Sequence, residues 1–415
     1  MIIIKKYTLY SPYRVLLVIY LFFILIAFLL DSPENIYLGL MAIIKSPDIL
    51  VTDYVELGGI SASLINASLT SILSIVLLVI QKIKPNGSTI MSLWLMTGFS
   101  FFGKNIFNIW PIIIGVYLYS KYQKEPFINY SLVALLSTTL SPAVSQLIYT
   151  NKFSTFGGIL LGYSLGIIIG FIIAPISSHC LKSHNGYNLY NVGFSGGLLA
   201  TIVMSVFRAF GIDFGNRLLW NTKHNFTFSL IIIGICLYLI GVGLYHNNKP
   251  KESLLKLFKE PGRLISDFYL LYGGNSYINM GILGLLSTGI VLILNSNLNG
   301  PTISGIFTII GFGAFGKHIL NVLPILSGAI LAAIIDVDPI NSPSLIIAIL
   351  FSTALSPIAG KYGWKLGVLT GFLHVCTVTN ISYLHGGMNL YNNGLAAGIV
   401  AMVLIPIISI FQKEI

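Results

Sequence analysis

The sequence predicts an all-α polytopic membrane protein made of two copies of one seven-segment unit, the second inserted upside down. Three observations carry this expectation. Apolar residues make up 55% of the 415 positions and charged residues only 9%, whereas a soluble domain is about one quarter charged because its surface faces water. The apolar residues form long runs broken at charges, prolines and Asn/Gly clusters, and helices are the natural way for such runs to satisfy their backbone in lipid. Short motifs recur in the same order in both halves of the chain, which is the mark of an internal repeat.

Breaking the chain at those points gives about fourteen segments. They lie near 14–31, 56–80, 88–103, 108–120, 129–149, 154–179, 187–207, 225–245, 275–295, 301–315, 319–335, 343–359, 364–382 and 387–410. The first follows Lys5, Lys6 and Arg14, and no small-residue cleavage site comes after it, only Asp31-Ser32-Pro33. It is therefore expected to be a retained span. Segments 88–103, 108–120 and 301–315 are shorter than the ~20 residues a crossing helix needs. They are expected to be broken or re-entrant, which is allowed only where protein or a cavity surrounds them.

Charge orients the chain. With the N-terminus inside and every segment crossing, sixteen of the 23 Lys and Arg fall in inner loops and five in outer ones, and Asp31, Glu34, Asp48, Asp53, Asp213, Asp336 and Asp338 fall in outer connections. This positive-inside bias puts both termini in the cytoplasm, with the chain multi-pass in the cell (plasma) membrane. The net charge of +10 is thereby explained without a nucleic acid. Cys180, Cys236 and Cys376 are isolated and form no metal spacing or disulfide framework.

The repeat is read from matched motifs. Gly103-Lys104-Asn105-Ile106-Phe107-Asn108 returns as Gly316-Lys317-His318-Ile319-Leu320-Asn321. Leu136-Ser137-Thr138-Thr139-Leu140-Ser141-Pro142 returns as Phe351-Ser352-Thr353-Ala354-Leu355-Ser356-Pro357. Gly162, Gly166 and Gly170 return as Gly363, Gly367 and Gly371, and Asn188-Leu189-Tyr190-Asn191 as Asn389-Leu390-Tyr391-Asn392. The units are 1–210 and 211–415, joined by a basic linker near 247–266 that either hangs in the cytoplasm or lies on the anionic inner leaflet. Seven segments per unit make the second copy inverted, a plan that puts a transporter's site at the repeat interface.

Polar residues repeated inside apolar spans are the candidate site. Asn188, Tyr190, Asn191, Asn389, Tyr391 and Asn392 offer uncharged donors and acceptors that replace a solute's hydration, or else cap the helices that follow. The second segments start alike, Tyr54 and Glu56 in one half and Tyr277 and Asn279 in the other. Glu56 is the candidate for coupling to H⁺ or Na⁺, or a solvated group at the outer surface. Lys104 with Asn105 and Lys317 with His318 favour an anion if their turns are re-entrant, and snorkel to opposite surfaces if they are not. Ser137, Thr138, Ser352 and Thr353 precede prolines that would free carbonyls for a cation or solute. The glycine ladders are expected to be helix-packing faces.

The chain holds no His-Glu-x-x-His, no Gly-x-Ser-x-Gly and no Walker lysine motif, so neither an enzyme nor a cofactor is expected. From Asn188 to Ala200 it resembles the late glycine-rich, Asn-containing segment of urea transporters, which are also inverted repeats. Tyr54 to Ala62 loosely echo their earlier motif, with Val55-Glu56 standing where that family has Asn-Pro. The whole chain also resembles an uncharacterised bacterial family of polytopic membrane proteins of unknown function. The expected function is a channel or secondary transporter for a small polar solute, or an anion if Lys104 and Lys317 reach the midplane. Its partners would be the lipid bilayer and that solute, with Na⁺ or H⁺ as coupling ions and a homo-oligomer left open. A regulatory or structural membrane protein is the other class.

Overall fold

A computed structural model describes residues 11–150, 152–246, 250–263 and 266–412. Lys5, Lys6, Lys249 and Lys413, counted above on the inner side, lie outside the described residues. Every apolar segment of the sequence is helical. The first half holds α1 (Ser11–Leu30), α2 (Pro33–Ile44), α3 (Tyr54–Ile80), α4 (Gly87–Phe99), α5 (Trp110–Tyr122), α6 (Ser131–Ser137), α7 (Ser141–Tyr149), α8 (Thr155–Ser183) and α9 (Asn191–Ala209). The second holds α10 (Asn225–Tyr245), α11 (Pro250–Leu257), α12 (Phe268–Tyr272), α13 (Gly274–Ile293), α14 (Gly300–Phe312), α15 (Ile319–Ile335), α16 (Pro343–Ser352), α17 (Ser356–Tyr362), α18 (Trp364–Ile381) and α19 (Asn392–Gln412). Among the described residues the one β feature is an isolated parallel bridge between Thr52 and Leu219.

Among the described residues, ten helical stretches are long and apolar enough to cross a membrane. Leu21, Leu29, Phe156, Leu237 and Ile293 stand more than half exposed on them, an apolar surface of the kind a bilayer covers. This is a multi-pass membrane protein. Several helices fall short, among them α4, α5 and α14 with 13 residues and α15 with 17, and 13 residues rise only about 20 Å.

The short helices begin the same way in both halves. Asn86 and Thr89 form a capping box on α4, as Asn299 and Thr302 do on α14. The Gly87 amide also donates to Asp267 (2.9 Å), and the Gly300 amide donates to Asp53 (3.0 Å). Each carboxylate sits at the positive end of a helix from the opposite half.

The serine-proline breaks differ from the expected kinks. Thr138–Leu140 and Thr353–Leu355 are 3₁₀ turns, and Pro142 and Pro357 stand in the first turns of α7 and α17. Proline has no helical hydrogen bond to lose there, so it opens a helix instead of freeing carbonyls within one. The glycine ladders pack helices except at Gly363, which has nothing within 4 Å and turns the chain (φ 90°) between α17 and α18. Gly166 lies on Pro111 and Gly170 on the Ile112 carbonyl, while Gly367 lies on Pro324 and Gly371 on the Ile325 carbonyl.

One helix was not expected. Residues 33–44 were read as part of a connection, yet Ser32 caps α2 by accepting from the Asn35 amide (3.3 Å), with Pro33 at its first position and Glu34 in its first turn. Its 12 residues are too few to cross, and it packs along α3 where Gly39 meets Gly58.

The halves meet along α4 with α14 and along α9 with α19. At the second crossing Gly193 faces Gly394, and a Cβ on Gly193 would lie 2.7 Å from the Cβ of Tyr391. Gly394→Leu is therefore expected to lower the melting temperature in detergent by the equivalent of about 1–3 kcal/mol, the usual cost of overpacking. Gly289→Ala, at a position with nothing within 4 Å, leaves it unchanged.

Candidate functional site

The site grows from the turns that follow the two short helices. After α4 the chain reverses at Gly103 (φ 92°), and after α14 at Gly316 (φ 104°), a backbone region that favours glycine. Asn66 of α3 holds the first turn by donating to the carbonyls of Ser100 (2.7 Å) and Lys104 (2.8 Å). Asn279 of α13 does the same to Gly313 (2.8 Å) and Lys317 (2.7 Å). Asn108 and Asn321 close the turns by donating to the Gly103 (3.0 Å) and Gly316 (2.9 Å) carbonyls. Asn279 thus matches Asn66, and the equivalence of Tyr54 with Tyr277 read from the segment starts is corrected. The Tyr54 amide donates to Phe101 as the Phe268 amide donates to Ala314, so Tyr54 corresponds to Phe268.

Held this way, both lysines turn inward and are fully buried. Lys104 Nζ donates to the Tyr391 hydroxyl (2.7 Å) and lies over the rings of Tyr391 (4.8 Å) and Phe99 (5.5 Å). Lys317 Nζ donates to the Tyr190 hydroxyl (2.6 Å) and to Thr353 (2.8 Å), over the rings of Tyr190 (4.6 Å) and Phe312 (4.8 Å). Neither snorkels. Aromatic faces attract the ammonium, but no carboxylate neutralises it: among the described residues the one ion pair is Arg208–Asp213 (3.3 Å).

The Asn-Leu-Tyr-Asn motifs carry the tyrosines to the opposite half's lysine. Asn188 donates to Gly394 (3.1 Å), and Asn389 donates to Gly193 (3.3 Å). The Leu189 amide donates to Ala354 and the Leu390 amide to Thr139, both at 2.9 Å. Both leading asparagines are thereby tied to backbone, and Asn389 Oδ1 also accepts from the Thr139 hydroxyl (2.8 Å). Asn191 does not cap α9: its Oδ1 meets His184 Nε2 (2.9 Å), and its amide donates to the Ser177 carbonyl (2.9 Å), tying α9 to α8. Asn392 lines a cavity beside His385.

The remaining candidates divide. Thr353 reaches Lys317, but Thr138 donates to Leu135 and to the sulfur of Met96 (3.4 Å), which is itself 3.6 Å from Lys104 Nζ. Ser352 donates to Ile349, and the Ser137 hydroxyl is buried without a partner. His318 caps α15 and meets the Glu260 carbonyl (2.8 Å). Glu56 is exposed and accepts from Asn221 (2.7 Å), away from the lysines. Tyr54 and Asn105 are buried together beside Asp48.

Asp48 was counted above as an outer-loop charge. It is instead fully buried, its Oδ2 accepting from Asn108 (3.1 Å) and Asn105 (3.4 Å), while its Oδ1 makes no hydrogen bond. Burial pushes its carboxyl up to about 7, against the opposing pull of Ser145, Tyr54, Ser46 and the Arg217 charge.

Two cavities flank this centre. One of 220 Å³ is lined by both tyrosines, Tyr190 and Tyr391, with Leu136 and Phe312. The other, of 600 Å³, is lined by Phe102, Leu390, Asn392, Asp336 and Asp338 among others. Phe351, the repeat counterpart of Leu136, touches Phe99 (5.7 Å) and Tyr190 (6.1 Å) and so bridges the two lysine cages. Among the described residues no group of three His, Cys, Asp or Glu is placed to hold a metal.

A family match covers residues 32–209 and 246–410. The chain belongs to the family described as "Protein of unknown function (DUF1576)". The first matched block runs from α2 to the end of α9, and the second from just before α11 into α19. No curated protein and no solved structure matches the chain.

Two outcomes follow from this geometry. Lys104→Met and Lys317→Met are expected to keep or raise thermal stability, because each removes a desolvated amine that no carboxylate offsets. Lower melting temperatures in both would show that the ammoniums hold the fold together. For Asp48 the folded protein keeps the carboxyl proton to higher pH than the unfolded chain. Stability therefore falls as pH rises from about 4 to about 7, and Asp48→Asn flattens that part of a melting-temperature profile.

Proposed function

We propose that this protein is a secondary transporter for a small anion, bound where the two halves meet by Lys104, Tyr391, Lys317 and Tyr190. The observation that carries the reading is a pair of buried lysines without carboxylates, whose tyrosine partners both line one 220 Å³ cavity. An intramembrane charge is costly and faces a partner or a pathway, and an anion in that cavity would supply the missing partner. The leading asparagines of the motifs are already bonded to backbone and, for Asn389, to Thr139, which favours an anion over a neutral solute such as urea.

The two units are inverted repeats in this reading. Support comes from the charges, with Lys82 and Lys84 ending α3 where Asn297 and Asn299 follow α13, and from the reciprocity of the bonds. Lys104 meets Tyr391 as Lys317 meets Tyr190, and Gly87 meets Asp267 as Gly300 meets Asp53. Such pairing is what a two-fold relation produces. With the axis in the membrane plane, the four short helices are re-entrant or broken elements around a midplane site. Both termini are then cytoplasmic, in the plasma membrane. The cavity at Asn392 is larger than the one at Asn191, which fits a transporter opened toward one side and not a channel open to both.

A thermal-shift panel tests the substrate class. Nitrate, bicarbonate, acetate and succinate are run against urea and NaCl, and an anion at about 100 times its Kd raises stability by about 2.7 kcal/mol. The gain should vanish in Lys104→Met and Lys317→Met; a gain from urea that survives both substitutions rejects the anion reading. Inversion is tested by single cysteines at positions 84 and 297, expected to be labelled from opposite sides of the membrane. Labelling from one side refutes it.

A further inference from the structure

The first half carries a buried acid where the second has only backbone. Asp48 lies between α2 and α3, and it accepts from Asn105 and Asn108, the residues that shape the turn bearing Lys104. In the second half the residue after the lysine is His318, whose ring meets the Glu260 carbonyl (2.8 Å). The lysine, its clasp and its tyrosine are thus duplicated, while the ionisable acid stands on one turn alone.

The surroundings decide what the acid binds. Its Oδ1 is buried with no hydrogen bond, an open acceptor in a polar pocket. The two asparagines present nitrogens to it, and their orientation is fixed by the backbone. Asn105 Oδ1 accepts from the amides of Phe107 and Asn108, both at 2.9 Å, and Asn108 Oδ1 accepts from the Asn105 amide (3.0 Å). A metal cation needs a shell of oxygen acceptors, which nitrogens directed at the carboxylate do not provide. A proton needs only the open oxygen. The titratable and charged groups facing Asp48 are Tyr54 of α3, Tyr149 of α7 and Arg217 of the segment before α10. Lys104 follows one residue before Asn105, and His385 lies in the 3₁₀ turn before α19, close to Gly387, which packs on the Leu50 amide. Leu50 and Val51, just beyond the acid in sequence, line the 600 Å³ cavity with His385 and Gly387. Asp48 therefore sits one layer behind that cavity's wall.

We propose that Asp48 is a proton-binding site whose occupancy is transmitted through Asn105 and Asn108 to the turn that carries Lys104, so that the solute bound there moves with a proton. The identity of that solute rests on the anion reading above; the proton site and its link to the turn do not. Binding is the addition of one proton to Oδ1, and its release restores the carboxylate. Burial already holds that proton to near-neutral pH.

The test uses the full chain in lipid vesicles, taken from about pH 5 to about pH 9, a range centred on the shifted carboxyl and above the ordinary aspartate value. Infrared difference spectra should show a buried carboxylic-acid C=O band that disappears with a midpoint near neutrality and is missing from Asp48→Asn. Ser145→Ala, which removes a donor to the carboxylate, should move the midpoint upward, and it stands in if Asp48→Asn does not fold. Hydrogen exchange in the 100–109 turn, normalised to the 313–322 turn, should change across the same midpoint in wild type and not in Asp48→Asn. Absence of the band, its persistence in Asp48→Asn, an unmoved midpoint in Ser145→Ala or unchanged exchange would each overturn the proposal. If both readouts appear while the anion panel is silent, the proton site stands and the anion reading falls.

Discussion

Two lysine side chains taken out of water, with no carboxylate to meet them, set the terms for the centre of this molecule. Desolvating a cation costs several kcal/mol unless other groups replace its hydration. Here a hydroxyl and two aromatic faces replace it for each lysine. The lysine and one ring come from one half, and the tyrosine comes from the other. Each lysine takes its tyrosine from the opposite half, and Lys317 adds Thr353 of its own half, so docking completes both sets of partners. The asparagine clasps of Asn66 and Asn279 serve the same end, since they hold the turns that aim each ammonium inward.

The rest of the interface repeats this exchange. Asp53 and Asp267 each cap a helix of the opposite half, and the glycines at the α9–α19 crossing let the two motifs approach closely enough for tyrosine to reach lysine. The repeat is nevertheless not perfect where the chemistry lies. Phe351 fills the space whose counterpart beside Leu136 is a cavity, and Asp48 stands against one lysine turn while a carbonyl stands near the other. The two halves thus differ in their cavities and in the one buried acid.

Much of this was legible in the sequence. Runs of apolar residues located every long helix, because in lipid the backbone must close its own hydrogen bonds, and the matched Gly-Lys and Asn-Leu-Tyr-Asn motifs located the lysines and tyrosines. Their cross-pairing was not legible, because it joins residues 287 and 127 positions apart and no local signal encodes that. Asn66 was within reach: it stands 38 residues before Lys104, as Asn279 stands 38 before Lys317. Aligning the spans by their starts hid it. Asp48 does lie in a connection, between α2 and α3, but its burial is not legible without α2, whose start is signalled by Ser32-Pro33-Glu34. With α2 packed on α3, the segment that follows α2 is folded inward and Asp48 is buried.

The central claim is that the two lysine–tyrosine pairs form one anion site. The most direct measurement is an experimental structure of the protein in bromide, with the halide located by its anomalous signal. The account predicts a peak inside the cavity lined by Tyr190 and Tyr391, within hydrogen-bonding reach of Lys104 Nζ or Lys317 Nζ, that disappears when both lysines are replaced by methionine. Bromide found only at the surface lysines, with the central cavity empty or filled by apolar side chains, would contradict it.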